Sequence, residues 1–308
     1  MSQVETVSLY EFFQEFPNEE SARLHFEKQR WNNEAFCPHC GSKHVAEVKG
    51  HKPMPYRCKA CRKHFSVRTG TVLAESRLPL HKWLMAIYMI TTAKKGIPST
   101  QMAKQLGVTQ KTAWFLANRI REAWFSDTDK DDMGSHVQVD ECYIGGKEAN
   151  KHNSKKLKMG RGGVGKTPVV GIVGESGKVN AKPIDNVKSE TLKGFIRDNV
   201  KQGSTVVTDS FKSYVGLEIN YKHIVVNHSV GEYVKGKAHT NGIESFWALL
   251  KRGYYGIFHH MSEKHLHRYV NEFSFRHNAM LVDGMDCINM TIQNMNNKRL
   301  TYKELINA

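Results

Sequence analysis

HTNGIESFWALLKR, residues 239–252, reads as an amphipathic helix with chemistry on its polar side. Glu244 and Lys251 stand seven residues apart, two helical turns, so their side chains point the same way; Asn241 lies three residues before Glu244 and joins that face. Ile243, Phe246, Trp247 and Leu250 supply an apolar side that would hold the helix against a core. A carboxylate and an ammonium so placed can present a metal ligand and a phosphate-binding cation together. Taken alone, the stretch also fits an ordinary helix whose Glu and Lys face water, and residues upstream separate the two readings.

Two aspartates precede this helix, each in or at the end of a strand-like run. VQVDECYI, residues 137–144, alternates apolar and polar side chains around Asp140, and STVVTD, residues 204–209, is a β-branched run ending in Asp209. Carboxylates therefore recur at 140, 209 and 244, with 34 residues between the last two. Any one of them alone would read as a strand-end or turn acid. Three in order, followed by a lysine on the glutamate's face, fit a site for hard divalent cations, which bind through a few carboxylates plus substrate phosphate.

These motifs bring a family into view. The chain resembles the DDE-type transposases of bacterial insertion sequences, in the group with an N-terminal zinc ribbon and a catalytic domain similar to retroviral integrase and ribonuclease H. The likeness rests on CPHC at 37–40 with CKAC at 58–61, VDECYIGG at 139–146, VVTDSFKSY at 206–214, HTNGIESFWALLKRG at 239–253 and YVNEFSFRHN at 269–278, together reaching across nearly the whole chain. It implies an α/β fold, a ribonuclease-H-like mixed sheet flanked by helices and preceded by a zinc ribbon and a helix-turn-helix. It implies an enzyme that binds terminal inverted repeats, hydrolyses a phosphodiester and joins the 3′-OH to target DNA. Two Mg²⁺ or Mn²⁺ ions would sit on Asp140, Asp209 and Glu244, with Asp140 bridging, Lys251 holding a phosphate and Asn241 ligating or orienting a water. The third position varies among Asn, His and Glu in this group, so Asn241 and Glu244 both stay open as the third ligand. Two other readings use the same residues: a DNA-binding regulator with a degenerate nuclease-like domain, and a host nuclease of the same fold.

Composition agrees with a polyanionic partner. Lys plus Arg exceed Asp plus Glu by 45 − 30 = 15 and the pI is near 9.5. The longest apolar run, Trp83 to Ile90, is too short to span a bilayer, and the first residues lack a signal-peptide pattern, so the expectation is a cytoplasmic, nucleoid-associated protein without a membrane partner. Double-stranded DNA, both repeats and target, is the expected ligand, and pairing of two DNA ends calls for a homodimer or larger.

Along the chain, residues 1–36 read as a helical N-terminal segment. Residues 37–70 read as the zinc ribbon, because Cys37, Cys40, Cys58 and Cys61 form two C-x₂-C turns separated by 17 residues, the spacing at which four thiolates hold one structural Zn²⁺. A redox role for these pairs lacks the surrounding βαβ pattern. His39, His44, His51 and His64 are then solvent- or DNA-facing rather than ligands. Residues 80–125 read as a helix-turn-helix, with Ser99 and Thr109 as caps, Leu106-Gly107-Val108 as the turn, and Gln110, Lys111, Arg119 and Arg121 left for DNA; a plain helical hairpin gives the same pattern, and the basic charge favours the DNA-binding reading.

Residues 135–280 read as the catalytic domain, ordered three strands, helix, strand, helix, strand, helix. Its basic insertion at 147–166 places Lys155, Lys156, Lys158 and Arg161 on an arm toward phosphates, and Arg252 joins Lys251 beside the third acid. Gly160, Gly165, Lys166 and Thr167 stand at P-loop spacing, but the residues after Thr167 read as a strand, which rules the match out. Residues 281–308 read as a C-terminal tail in which Cys287 is a small buried hydrophobe.

Overall fold

A computed structural model describes residues 5–32, 34–125, 133–146, 148–157, 163–226, 234–235 and 238–307. The chain forms two compact units, one from residues 1–125 with 281–308 and one from residues 126–280.

In the first unit, α1 (Leu9–Glu15) and α2 (Glu19–Trp31) open with reciprocal capping boxes, Ser8 with Glu11 and Asn18 with Ser21. The ribbon follows as an antiparallel sheet of β1 (Val45–Glu47), β2 (Tyr56–Cys58) and β3 (His64–Phe65). Helix α3 (Leu80–Thr92) starts after Pro79, which has no side-chain acceptor. Glu19 of α2 supplies one instead, accepting from the Leu80 and His81 amides at 2.8 Å each. Helices α4 (Ser99–Leu106) and α5 (Gln110–Ala123) are joined through Gly107 at φ 59°, a left-handed C-cap that glycine adopts without strain. Ser99 begins α4 rather than capping it, since Pro98 holds the cap position.

The expected C-terminal tail is instead part of this core. Beyond residue 280 the chain returns to the first unit as α9 (Gly284–Gln293) and α10 (Tyr302–Asn307), a segment that buries Ile288, Ile292, Met295, Leu300 and Leu305. Cys287 is buried among them, as its reading as a small hydrophobe required. Arg30 ties the return down: its guanidinium donates to Asn296 Oδ1 at 2.8 Å and to the Val67 and Thr69 carbonyls at 2.6 Å.

The second unit is built on a five-stranded sheet of β4 (His136–Ile144), β5 (Thr167–Val173), β6 (Val179–Pro183), β7 (Thr205–Thr208) and β8 (Lys222–Val225), in the order β6-β5-β4-β7-β8. The β4–β5–β6 meander is antiparallel, whereas β7 and β8 run parallel to β4. This mixed sheet is consistent with a ribonuclease-H-like domain. Helix α6 (Ser189–Asn199) covers one face, and α7 (Asn241–Gly253) with α8 (Glu263–Asn278) covers the other. Between β7 and β8 the expected helix is replaced by two 3₁₀ turns, Lys212–Tyr214 and Leu217–Ile219. Gly216 at φ 90° separates them and breaks any continuous helical path.

The period-two alternation in β4 sets up the site. Val137 and Val139 enter the α6-side core, while Cys142 and Ile144 enter the α7–α8 core. Gln138 and Asp140 share the second face, so they point toward α7. Helix α7 lies close on the sheet because Gly171, paired with Asp140, leaves the space: a Cβ there would come within 2.8 Å of the Trp247 ring and 2.9 Å of Ile243 Cδ1.

Candidate active site and metal centre

In the first unit the four ribbon cysteines converge. Their sulfurs lie within 4.8 Å of one another, with Cys37 to Cys61 and Cys40 to Cys58 each at 3.6 Å, and all four are free thiols. A tetrahedral ion with metal–sulfur bonds of about 2.3 Å has sulfur–sulfur edges of about 3.8 Å, so the spacing fits one Zn²⁺. The His39 amide donates to Cys37 Sγ and the Cys61 amide to Cys58 Sγ, each at 3.4 Å, which favours thiolates. Elemental analysis of protein purified without chelator is expected to give about one zinc per chain, and stripping the metal should unfold the ribbon. A zinc-free protein whose ribbon keeps its amide protection would contradict this assignment.

In the second unit, parallel pairing places two of the carboxylates side by side. Gln138 of β4 pairs with Val207 of β7, so two residues further along Asp140 and Asp209 stand on adjacent strands and on the same face. Asp209 follows the last residue of β7 and is half-buried, its Oδ1 accepting from the Phe211 amide at 3.0 Å. Asp140 Oδ2 accepts from Trp247 Nε1 at 3.0 Å. Burial pushes the Asp140 carboxyl up to about 6, the charges of Asp209 and Glu244 push the same way, and the Glu141 amide and the indole N–H oppose them. The three acids therefore share one electrostatic field.

Glu244, in the first turn of α7, is exposed and accepts from Thr240 Oγ1 at 2.9 Å. Asn241 is the exposed first residue of that helix. Lys251, exposed two turns on, lies close enough to Cys142 for its charge to lower that thiol against a burial that pushes it up to about 12. Cys142 shares the face of Asp140. Among the described residues, the four cysteines are the only group of three or more candidate ligands gathered for a metal ion. The three carboxylates lie around the middle of β4, the end of β7 and the first turn of α7 and are not gathered at one point.

The comparisons with known proteins bear on this geometry. Residues 132–278, which contain β4 through α8 and all three acids, match the ISXO2-like transposase domain, and residues 17–64 match the transposase zinc-ribbon domain. A transposase-like protein of Haemophilus influenzae is 35% identical over 102 residues, covering 33% of this chain and 81% of that protein. This chain belongs to the insertion-sequence transposases with an N-terminal zinc ribbon. A protein in the transposable element ISH50 of Halobacterium salinarum is 26% identical over 276 residues, covering 86% of this chain and 92% of that protein. No helix among the described residues of this chain is long and apolar enough to cross a membrane.

The residues expected on DNA divide. Gln110 and Lys111, at the start of α5, are exposed; Gln110 donates to Ser99 Oγ at 2.9 Å and the Lys111 ammonium lies 4.7 Å from the Tyr302 ring centre. Arg119 and Arg121 do not face solvent, being only 4% and 2% exposed. This corrects their placement on a DNA-facing surface. The Arg119 guanidinium donates to the Ala74 carbonyl and lies over the Trp83 and Phe115 rings, and burial pushes it down to about 10. Lys156 and Arg252 are exposed. Lys158, Arg161 and the Lys155 side chain lie outside the described residues.

Three polar groups around the acids escaped the sequence reading. The helical period marks Trp247 only as apolar, although its N–H reaches Asp140. Gln138 sits two residues before Asp140 on the same face, a position that strand alternation could have singled out. Glu141 points to the opposite face, where it accepts from the Tyr214 hydroxyl at 2.7 Å and burial pushes it up to about 7. Its neighbour's chemistry gave no clue to that separate environment.

Proposed function

We propose that this transposase binds the inverted repeats at the ends of its element, cleaves a phosphodiester and joins the freed 3′-OH to target DNA. The observation that carries this reading is the β4–β7 register, which sets Asp140 beside Asp209 under the helix bearing Glu244. Three carboxylates in one field form an oxygen-donor set suited to hard cations, and the unfavourable charge on half-buried Asp140 is what a cation would offset. Mg²⁺ or Mn²⁺, two per site, when bound supplies activation of the attacking oxygen and stabilisation of the leaving oxygen. Asp140, Asp209 and Glu244 hold it, with Asn241 as the competing third ligand. Trp247 fixes the direction of the Asp140 carboxylate, and Lys251 holds a substrate phosphate on the same side.

Sequence preference belongs to the first unit. The zinc ribbon at 37–70 and α4–α5 within 80–125 act on duplex DNA, α4–Gly107–α5 serving as a helix-turn-helix with Gln110 and Lys111 at the leading end of its second helix. The basic arm around Lys156 and the Arg252 side chain contact phosphates near residues 135–280, the catalytic domain. Pairing of two element ends makes the working form a dimer or larger.

The test combines binding and chemistry. On DNA carrying the element's ends, affinity should fall steeply and linearly in log–log form as salt rises, and Mg²⁺ should yield joined products. Deleting residues 37–125 should remove preference for the repeats over scrambled duplex. A segment beginning at Ser135 that kept the full preference would place recognition elsewhere.

A further inference from the structure

Helix α7 begins without help from its own cap residue. Thr240 occupies the N-cap position, but its hydroxyl donates to Glu244 Oε1 and makes no cap bond to the helix amides. The second and third helical amides, Gly242 N and Ile243 N, instead donate to the side-chain oxygen of Gln138, at 2.9 and 3.2 Å. These are the two amides that an N-cap side chain ordinarily serves. Here the acceptor comes from strand β4, 104 residues earlier than Gly242.

Geometry makes the arrangement demanding. A Cβ on Gly242 would stand 2.8 Å from Gln138 Oε1, so glycine at 242 is what lets the amide oxygen approach. Two residues beyond Gln138 on the same strand face, Asp140 receives the Trp247 indole N–H. Strand β4 is thus fastened to α7 on both sides of Glu244, at residues 242–243 and at 247. The strand carries the first acid and Gln138; the helix carries the third acid, Asn241 and Trp247.

We propose that Gln138 is a positioning residue for metal binding: by capping α7 from β4 it fixes Glu244 and Asn241 against Asp140. This rests on the reading of Asp140 and Glu244 as ligands. Outer partners of metal ligands commonly contribute 10- to 100-fold to metal affinity, and Gln138 acts at that level.

The experiment uses the full-length, zinc-loaded transposase and a duplex carrying the element's end, follows cleavage across a Mg²⁺ titration, and reads Mn²⁺ binding directly from the loss of the free-ion EPR signal, where the same variants should shift the dissociation constant in the same order. Q138M keeps the side chain's length and removes the acceptor. It should raise the Mg²⁺ needed for half-maximal cleavage by about 10- to 100-fold, with a smaller change in the rate at saturating metal. Q138E restores an acceptor, favourable at a helix N-terminus, and should return the half-saturation to within about threefold of the parent. G242A should mimic Q138M by displacing the amide, and the Q138A/G242A double variant should be no worse than Q138A alone, because the clash has gone.

If Q138M titrates like the parent, or if Q138M and Q138E lose rate equally with an unchanged half-saturation, the proposal is overturned. Should Q138M fail to fold, the G242A pair decides by the same criterion. D140N run alongside separates the two levels: cleavage surviving D140N overturns the ligand reading and this proposal with it, whereas an inactive D140N beside a parent-like Q138M overturns only the positioning role.

Discussion

Asp140→Asn and Asp209→Asn are each expected to lower Mg²⁺-dependent cleavage and joining by well over about 100-fold, the upper range for losing a mere outer partner of a metal ligand. Each change deletes a charged oxygen while keeping the side chain's shape. At 140 the neutral amide also relieves the burial that pushes this carboxyl up to about 6, so the apo protein should fold at least as well as the parent. Loss of activity then reports chemistry, not collapse. Duplex binding by the zinc-loaded protein without added Mg²⁺ should persist, since preference for the repeats rests on the first unit.

The same assay ranks the third position. Glu244→Gln should resemble the aspartate changes and Asn241→Ala should be milder; the reverse order would assign the ligand to Asn241. Lys251→Ala should weaken engagement of the scissile phosphate more than total affinity, because one cation among 45 contributes little to overall attraction.

Removing residues 281–308 is expected to unfold the N-terminal unit. Ile288, Ile292, Met295, Leu300 and Leu305 are each at most 4% exposed. A fully buried aliphatic side chain contributes about 1.5–3 kcal/mol, so five together are comparable to the 5–15 kcal/mol net stability typical of a whole domain. The truncation also strips Asn296 from the Arg30 guanidinium and removes Thr291, whose hydroxyl accepts from Trp124 Nε1 at 2.9 Å. Loss of preference for the repeats and rapid proteolysis of residues 5–125 should follow. A truncated chain that retains repeat binding and a sharp thermal transition would show that α9 and α10 are dispensable.

That segment also shows where sequence reading stopped. The strand around Asp140, the helix of Glu244 and the two C-x₂-C turns were legible because each has a strict local period or spacing tied to its physics. The role of α9 was not, since its apolar residues pack against α2, α3 and α5, distant in sequence, and no local pattern names a partner. Arg119 was misread for a related reason. Counting charge treats every cation as facing water, whereas two aromatic rings and the Ala74 carbonyl take this guanidinium into the interior. The stretch between β7 and β8 looked long enough for a helix, yet Gly216 at positive φ divides it. Around the acids, the carboxylates were readable, but their fasteners were not, because Gln138 and Trp247 act through contacts more than a hundred residues apart.

The central claim is that Asp140, Asp209 and Glu244 form one divalent-metal site, and anomalous scattering from crystals soaked in Mn²⁺ tests it most directly. The account predicts ion density between Asp140 in the middle of β4, Asp209 at the end of β7 and the first turn of α7, at about 2.0–2.4 Å from carboxylate oxygens of all three acids. Manganese bound elsewhere, with these three carboxylates unliganded in a protein that still cleaves DNA, would contradict it.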